Sequence, residues 1–138
     1  MTGALVLIGT LVLAGAAGLI LRSRNGRVRT APAVSLPAVS LPSDVRGVLG
    51  PGVTLVQLST TFCAPCRHTR VLLSDLASRT EGLHHAEIDL TERPELAREL
   101  SVLRTPTTLA IDGSGRELLR VGGVPKRDSL LAALEPHL

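Results

Sequence analysis

The chain has 138 residues, of which 44% are hydrophobic, so disorder along its whole length is excluded. Its two cysteines are too few for a disulfide scaffold or a four-cysteine zinc site. Residues 1–43 carry four arginines and no acidic residue, whereas residues 44–138 are nearly neutral. The basic excess is therefore confined to the first third of the chain, and the chain has one Phe and no Trp or Tyr. No nucleic-acid partner is expected.

The first predicted element is an apolar helix. Residues 3–21 contain no charge, and as a helix they would extend about 28 Å, close to the hydrocarbon thickness of a bilayer. The run exceeds the core of a typical signal peptide and no basic residue precedes it, so an anchor is favoured over a cleaved signal. Residues 1–21 are therefore assigned to a transmembrane anchor that contacts the lipid bilayer through residues 3–21.

Basic residues follow the apolar run directly, and they predict the topology. Positive charge beside a membrane span stays in the cytoplasm. A single-pass protein is therefore expected, with its N-terminus outside and all residues after the span in the cytoplasm. The alternative is an exported, membrane-anchored domain. We interpret the basic residues as this topology signal rather than as ligands of lipid headgroups: Arg22, Arg24, Arg27 and Arg29.

Residues 22–43 are predicted to form a basic and then proline-rich linker. Pro32, Pro37 and Pro42 recur every five residues, which prevents a helix and favours an extended spacer. This spacer is expected to hold the following domain away from the bilayer. Part of it has the apolar residues to dock on that domain as an edge strand: Val34, Leu36, Val39 and Leu41.

From residue 44 to residue 138 the pattern predicts a small α/β domain. β-Branched and aliphatic runs bounded by turn residues predict strands, and leucines repeated on one face predict helices. Residues 112–115 supply the turn of a hairpin. The predicted order is β-α-β-α-β-β-α, with strands at 53–58, 83–90, 107–111 and 117–121 and helices at 64–79, 95–100 and 128–134.

The two cysteines lie where the first strand of this domain gives way to its first long helix. Cys63 and Cys66 are three residues apart and can close a small disulfide ring. The positive end of the helix dipole favours a thiolate on the first cysteine, and Pro65 suits the first helical turn. C-x-x-C also occurs in zinc sites, in metal-delivery modules and in structural disulfides. The spacing of the cysteines does not distinguish these alternatives from a redox site.

The wider context resembles the thioredoxin family. The sequence Phe62-Cys63-Ala64-Pro65-Cys66 looks like the family's W-C-G-P-C site, with Phe for Trp and Ala for Gly. Thr105-Pro106 occupies the place of the family's cis-proline, and Val121-Gly122-Gly123 is similar to its V-G-x segment. The resemblance covers residues 44–138. It implies a thioredoxin-like fold, with a central mixed sheet flanked by helices, behind the N-terminal transmembrane helix.

The resemblance also implies the chemistry and the site. The protein would be a membrane-tethered thiol–disulfide oxidoreductase that reduces protein disulfides, with Cys63 as the attacking thiolate and Cys66 as the buried resolving thiol. No metal and no cofactor beyond the redox-active disulfide are expected. The expected partners are disulfide-bearing substrate proteins and a reductase or membrane electron donor. The substrate-binding residues would be Phe62, Ala64, Pro65, Thr105 and Pro106.

One position departs from the family pattern. Six residues before the first cysteine, thioredoxins place a buried Asp that helps to move the proton of the second thiol, and this chain has Gln57. We expect Gln57 to face inward as a hydrogen-bonded amide. His85, which we match to a partly buried Lys position of the family, is the hypothetical proton-transfer group. The departure keeps open a thioredoxin-like binding domain without turnover.

Overall fold

A computed structural model describes residues 2–30 and 41–138. After one long N-terminal helix, strands and helices alternate along the chain except at one hairpin, where two strands follow each other directly. In chain order they are α1 (Thr2–Arg24), β1 (Val28–Thr30), α2 (Ser43–Arg46), β2 (Val53–Ser59), α3 (Ala64–Arg79), β3 (Leu83–Asp89), α4 (Pro94–Glu99), β4 (Thr107–Ile111), β5 (Glu117–Gly122) and α5 (Arg127–Leu134), followed by a 3₁₀ turn at Glu135–His137.

Five strands form one mixed sheet in the order β1-β5-β4-β2-β3. The β2–β3 pair is parallel, while β2–β4, β4–β5 and β1–β5 are antiparallel. The β4–β5 pair is the predicted hairpin, and α3 is the crossover that a parallel pair requires. The predicted fold class is confirmed, and the loop that carries the two cysteines leaves the sheet at the carboxyl end of the buried strand β2.

Apolar side chains cover both faces of the sheet. One core packs α3 and α5 against the sheet through Leu73, Leu76, Leu130 and Leu134, and the other packs α2 and α4 against the opposite face. Because successive side chains of β2 point to opposite faces, Leu55 lies in the first core and Val56 in the second. Gln57, two positions after Leu55, therefore faces α3.

The predicted bounds of the domain's elements agree closely with the structure. Helix 64–79 and strand 107–111 are confirmed as α3 and β4, and the other predicted strands and helices differ by one residue at one or both ends. One short helix, α2 (Ser43–Arg46), precedes the first strand of the predicted domain. Strong leucine and β-branched patterns bounded by Gly, Pro and Asp explain this agreement.

The predicted linker is where sequence and structure differ. Residues 28–30, assigned to the linker, pair with β5 as an edge strand, and Val28 packs against the first core. The segment that docks, residues 28–30, therefore precedes residues 34–41, which were expected to dock. Most of residues 34–41 lie outside the described residues. Only Asn25, Gly26 and Arg27 separate α1 from the sheet. A three-residue strand carrying an arginine is too short and polar to stand out in a sequence.

The helix α1 has the properties expected of a membrane span. Its most apolar stretch has a mean hydropathy of 2.5, and none of that stretch is buried. Among the described residues it is the single helix whose length and composition suffice to cross a bilayer. The 23-residue helix begins one residue before the predicted apolar run and continues through Arg24.

Candidate functional site

The cysteine pair sits at the N-terminus of α3. Cys63 is the residue that caps this helix, and its Sγ accepts a hydrogen bond from the Cys66 amide at 3.2 Å. Pro65 occupies the first turn, as expected, and the two cysteines are joined by a disulfide with their Cα atoms 5.2 Å apart. Cys66 is 2% exposed, while Cys63 is partly exposed.

This placement favours a reactive first cysteine. After reduction, a thiolate at Cys63 lies against the Cys66 amide and the positive end of the α3 dipole, and both stabilise a negative sulfur. The Cys66 side chain is almost completely buried. One accessible thiol beside a positive partial charge and one shielded thiol at contact distance are the two groups that a disulfide-exchange cycle needs.

The loop before β4 adjoins the cysteine loop. The Thr105–Pro106 peptide bond is cis, as the resemblance implies. The Pro106 carbonyl accepts a hydrogen bond of 2.7 Å from the Gly123 amide, which holds this loop against the end of β5. The hydroxyl oxygens of Thr60 and Thr105 are 3.4 Å apart. The structure therefore brings the predicted Thr105–Pro106 element to the cysteine-bearing loop.

Two fully exposed apolar side chains flank these loops. Phe62, which precedes the first cysteine, is 98% exposed, and Leu103, which comes shortly before the cis-proline, is 97% exposed. Ala64 and Pro65 are exposed as well. The Phe62 and Leu103 side chains are therefore free of packing contacts with the rest of the domain. Leu103 was not predicted, because a leucine in a loop motif gives no sign of its exposure.

Gln57 connects the cysteine helix to the strand beside it. It is fully buried, and its Nε2 donates a hydrogen bond of 2.8 Å to the Cys66 carbonyl. Its Oε1 lies 3.3 Å from the His85 Nε2. The prediction of an inward-facing, hydrogen-bonded amide is confirmed. A neutral amide satisfies these partners without burying a charge in the central sheet.

Glu87 is the acidic group of the site. It is paired with Gln57 across the β2–β3 register, and its Oε1 accepts hydrogen bonds from Ser59 Oγ at 2.6 Å and Arg70 Nη2 at 2.9 Å. Glu87 and both cysteines line one cavity of about 380 Å³. The hydrogen bonds from Arg70 lower the pKa of Glu87 below its usual value, so the carboxylate is ionised at neutral pH.

His85 lies on β3 beside the site. It pairs with Leu55, while Glu87 is the residue opposite Gln57. The Nε2 of His85 contacts the Gln57 amide oxygen, and its Nδ1 lies 3.0 Å from the Ser74 Oγ. Burial lowers the pKa of His85, which favours the neutral imidazole at pH 7. The sequence carried a signal for Glu87: residues 57 and 87 each lie four positions after the predicted starts of their strands, and the observed parallel register pairs them.

The metal-binding alternative concerns the same two cysteines. Within residues 2–30 and 41–138, no group of three or more His, Cys, Asp or Glu side chains is arranged to hold a metal ion. In the oxidised protein the disulfide occupies both cysteine sulfurs. The reduced thiols of Cys63 and Cys66 are the ligands that a metal-binding function would use.

The fold and the site define a class of protein: a thiol–disulfide oxidoreductase-like α/β domain, with a C-x-x-C pair at a helix N-terminus beside a cis-proline. A family model for thioredoxin matches residues 48–136. A thioredoxin from Staphylococcus aureus (strain Mu50) is 32% identical over 88 residues, covering 63% of this chain and 84% of that protein. The chain belongs to the thioredoxin family.

Solved structures agree with this assignment. A thioredoxin from Nicotiana alata matches with a TM-score of 0.56 and 26% identity, covering 68% of this chain and 79% of that one. A mutant thioredoxin from Halobacterium salinarum NRC-1 matches with a TM-score of 0.61 and 24% identity, covering 70% and 85% respectively. The second likeness concerns the fold alone.

The ion pair at Glu87 predicts a pH-dependent contribution to stability. Because the folded state lowers the pKa of Glu87 from 4.5, the ionised carboxylate stabilises the fold above that pH, and this contribution is lost as the pH falls through the lowered pKa. We expect the difference in unfolding free energy between the wild type and Glu87→Gln to shrink between about pH 5 and pH 3. Denaturant titrations at each pH measure it.

The control for this measurement is Glu99→Gln, which makes the same charge change at an exposed position of α4. A difference for Glu87→Gln that stays constant over this pH range, or that the control reproduces, would show that the Arg70–Glu87 pair does not stabilise the folded state.

Proposed function

We propose that the protein is a membrane-tethered protein-disulfide reductase that exchanges the dithiol of Cys63 and Cys66 for disulfides of other proteins. The observation that carries the proposal is the pairing of a partly exposed sulfur, capped by a helix N-terminus, with a buried sulfur joined to it. A structural disulfide needs neither the exposure of one sulfur nor the adjoining cis-proline loop.

The reaction proceeds in two exchanges. The Cys63 thiolate attacks one sulfur of a substrate disulfide, forms a mixed disulfide and releases the first substrate thiolate. Cys66 then loses its proton and attacks the Cys63 sulfur, which releases the second substrate thiolate and leaves the Cys63–Cys66 disulfide. Two electrons pass to the substrate. A partner reductase or a membrane electron donor returns them to the protein, and no bound cofactor takes part.

Substrate proteins dock across the two adjoining loops. Phe62 and Leu103 offer exposed apolar contact area on either side, and Thr105 and Pro106 offer backbone for an extended segment of the substrate. Ala64 and Pro65 complete the rim beside Cys63. Apolar side chains around a backbone-binding loop suit a broad class of partially unfolded or extended substrate segments rather than one sequence.

Glu87 accepts the proton of Cys66 in the second exchange. Its carboxylate is ionised at neutral pH and lines the same cavity as both cysteines, whereas Gln57 has no basic group. Gln57 holds the start of α3 in place through its bond to the Cys66 carbonyl. The sequence-based hypothesis gave the proton to His85, and one experiment distinguishes the two groups.

The reductase assignment is tested by the reduction potential of the Cys63–Cys66 couple in the full chain, equilibrated with glutathione or dithiothreitol buffers. We expect a value near about −270 mV, the range of thioredoxin-like reductants. A value near roughly −120 to −180 mV would make the protein an oxidant or isomerase. If no reversible disulfide forms and the reduced chain takes up stoichiometric zinc or copper(I), the metal-binding alternative replaces the redox function.

The proton acceptor is tested by the rate at which a mixed disulfide at Cys63 resolves. We expect Glu87→Gln to slow this step by about tenfold or more at neutral pH, because the proton of Cys66 then has no charged acceptor. His85→Ala is the matched control and should leave the rate within about twofold. Cys66→Ser, which traps the mixed disulfide, gives the background rate without resolution.

The reverse pattern, with His85→Ala slow and Glu87→Gln normal, would return the role to His85. Wild-type resolution rates in both variants would indicate that solvent accepts the proton of Cys66. A wild-type chain that forms mixed disulfides but never resolves them would support a binding domain without turnover.

In this proposal α1 is the membrane anchor, residues 1–21 contain the span, and residues 44–138 work in the cytoplasm. The apolar, unburied helix supports the anchor, and the arginines after it support the orientation. We expect the chain to stay in the membrane pellet after alkaline extraction, and Leu11→Asp/Leu13→Asp to release it because charges at mid-span oppose insertion. Release of the wild type by alkaline extraction would show that α1 does not anchor the chain in the membrane.

Protease added to the outside of intact cells then tests the orientation. A cytoplasmic domain is protected until the membrane is opened, while an exported domain is cleaved at once. Cleavage in intact cells would replace the cytoplasmic assignment with the exported one and leave the disulfide-exchange chemistry unchanged.

A further inference from the structure

A second cavity of the molecule lies at the joint between α1 and the sheet. It has a volume of about 290 Å³ and is formed by the end of α1, by β1, by the end of β5 and by the segment before the cis-proline. No acidic residue is among the described residues that line it. We call it the arginine groove after its five basic lining residues: Arg24, Arg27, Arg29, Arg104 and Arg120.

Most of the positive charge in the arginine groove is uncompensated. Arg120 forms a two-point ion pair with Glu117, at 2.8 and 2.9 Å, and donates to the Leu100 carbonyl at 2.6 Å. The other four arginines are exposed and form no ion pair with any described residue. Residues 31–40 contain no Asp or Glu to compensate them.

The strand register sets like charges against each other. Arg29 of β1 is the direct partner of Arg120 of β5, and like charges directly opposite one another destabilise a strand pair. Arg104 lies over Gly122, where an added Cβ would come within 2.9 Å of its Nε. The missing side chain at Gly122 therefore gives this guanidinium its place in the groove. A bound anion would offset the repulsion among these charges.

We propose that the arginine groove binds the phosphate of an anionic phospholipid headgroup. This rests on the membrane anchor of the proposed function. Arg24 is the last residue of α1, so the groove begins where the span leaves the hydrocarbon, at the depth of the headgroups. Guanidinium groups bind phosphate through paired hydrogen bonds, and clustered basic residues beside a span attract anionic lipids.

Arg104 distinguishes a lipid-binding site from charges that serve only as a topology signal. Orientation by positive charge involves residues next to the span, whereas Arg104 is distant in sequence and reaches the groove only through the fold. It also directly precedes Thr105 and Pro106 of the active-site loop. A headgroup in the groove therefore contacts the segment that carries the substrate-docking rim and keeps that rim near the bilayer surface.

The test is a lipid titration of the full-length protein in a neutral detergent, read by native mass spectrometry. The probes are phosphatidylglycerol and phosphatidylcholine. We expect the first phosphatidylglycerol to bind several-fold more tightly than phosphatidylcholine, and Arg104→Gln to weaken it about fivefold. Arg104→Lys should restore most of the binding. The matched control is Arg98→Gln, an exposed arginine of α4 outside the groove, and it should bind as the wild type does.

Other outcomes would overturn the proposal. Equal phosphatidylglycerol binding by Arg104→Gln and Arg98→Gln would confine the lipid to the residues that flank α1. Inorganic phosphate that binds as tightly as phosphatidylglycerol would make the groove a site for a soluble phosphate compound. A chain that does not insert into phosphatidylcholine vesicles would instead refute the membrane anchor, which distinguishes failure of the proposed function from failure of the groove.

A second variant tests the repulsion itself. In neutral detergent without anionic lipid, Arg29→Gln should raise the melting temperature, because it removes the charge opposite Arg120. The same variant should gain less thermal protection from phosphatidylglycerol than the wild type does. A lowered melting temperature together with unchanged lipid protection would show that Arg29 serves only the packing of β1.

Discussion

The parallel register between β2 and β3 is the constraint on which the active site depends. Every residue of β2 is buried, so a shift of one position would exchange the side chains of the two cores. This register places Glu87 opposite Gln57 and ends β2 where the chain turns into the cysteine loop. The disulfide, the buried amide and the ionised carboxylate are therefore held together by one strand pairing.

The distribution of charge around this pairing follows from the cost of burial. An ionised side chain at residue 57 would lie in the centre of the sheet, where an unpaired charge is strongly unfavourable. The neutral amide of Gln57 forms a hydrogen bond at this buried position. The acidic group, Glu87, lies on β3, where Arg70 and Ser59 donate hydrogen bonds to it. The cysteine cavity thus contains a negative group although no charge lies on the fully buried strand β2.

The parts of the structure that sequence predicted are those determined locally. The leucine face of α3, the β-branched run of β4 and the C-x-x-C spacing are all contained within short segments. The role of Glu87 depends on the alignment of two strands, and β1 depends on a partner on β5 far along the chain. Neither Glu87 nor residues 28–30 has a local pattern that distinguishes it from a solvated, charged segment.

The joint at Asn25 and Gly26 changes how the anchor relates to the active site. Gly26 has a positive φ of 71° and donates to the Gly122 carbonyl at 3.0 Å, and a Cβ there would collide with the Val124 carbonyl. The proline-rich residues therefore connect two elements of the domain, β1 and α2, and three residues connect α1 to the sheet. Three residues span at most about 10 Å. If α1 spans a bilayer, as we propose, this short connection holds the sheet close to the membrane surface.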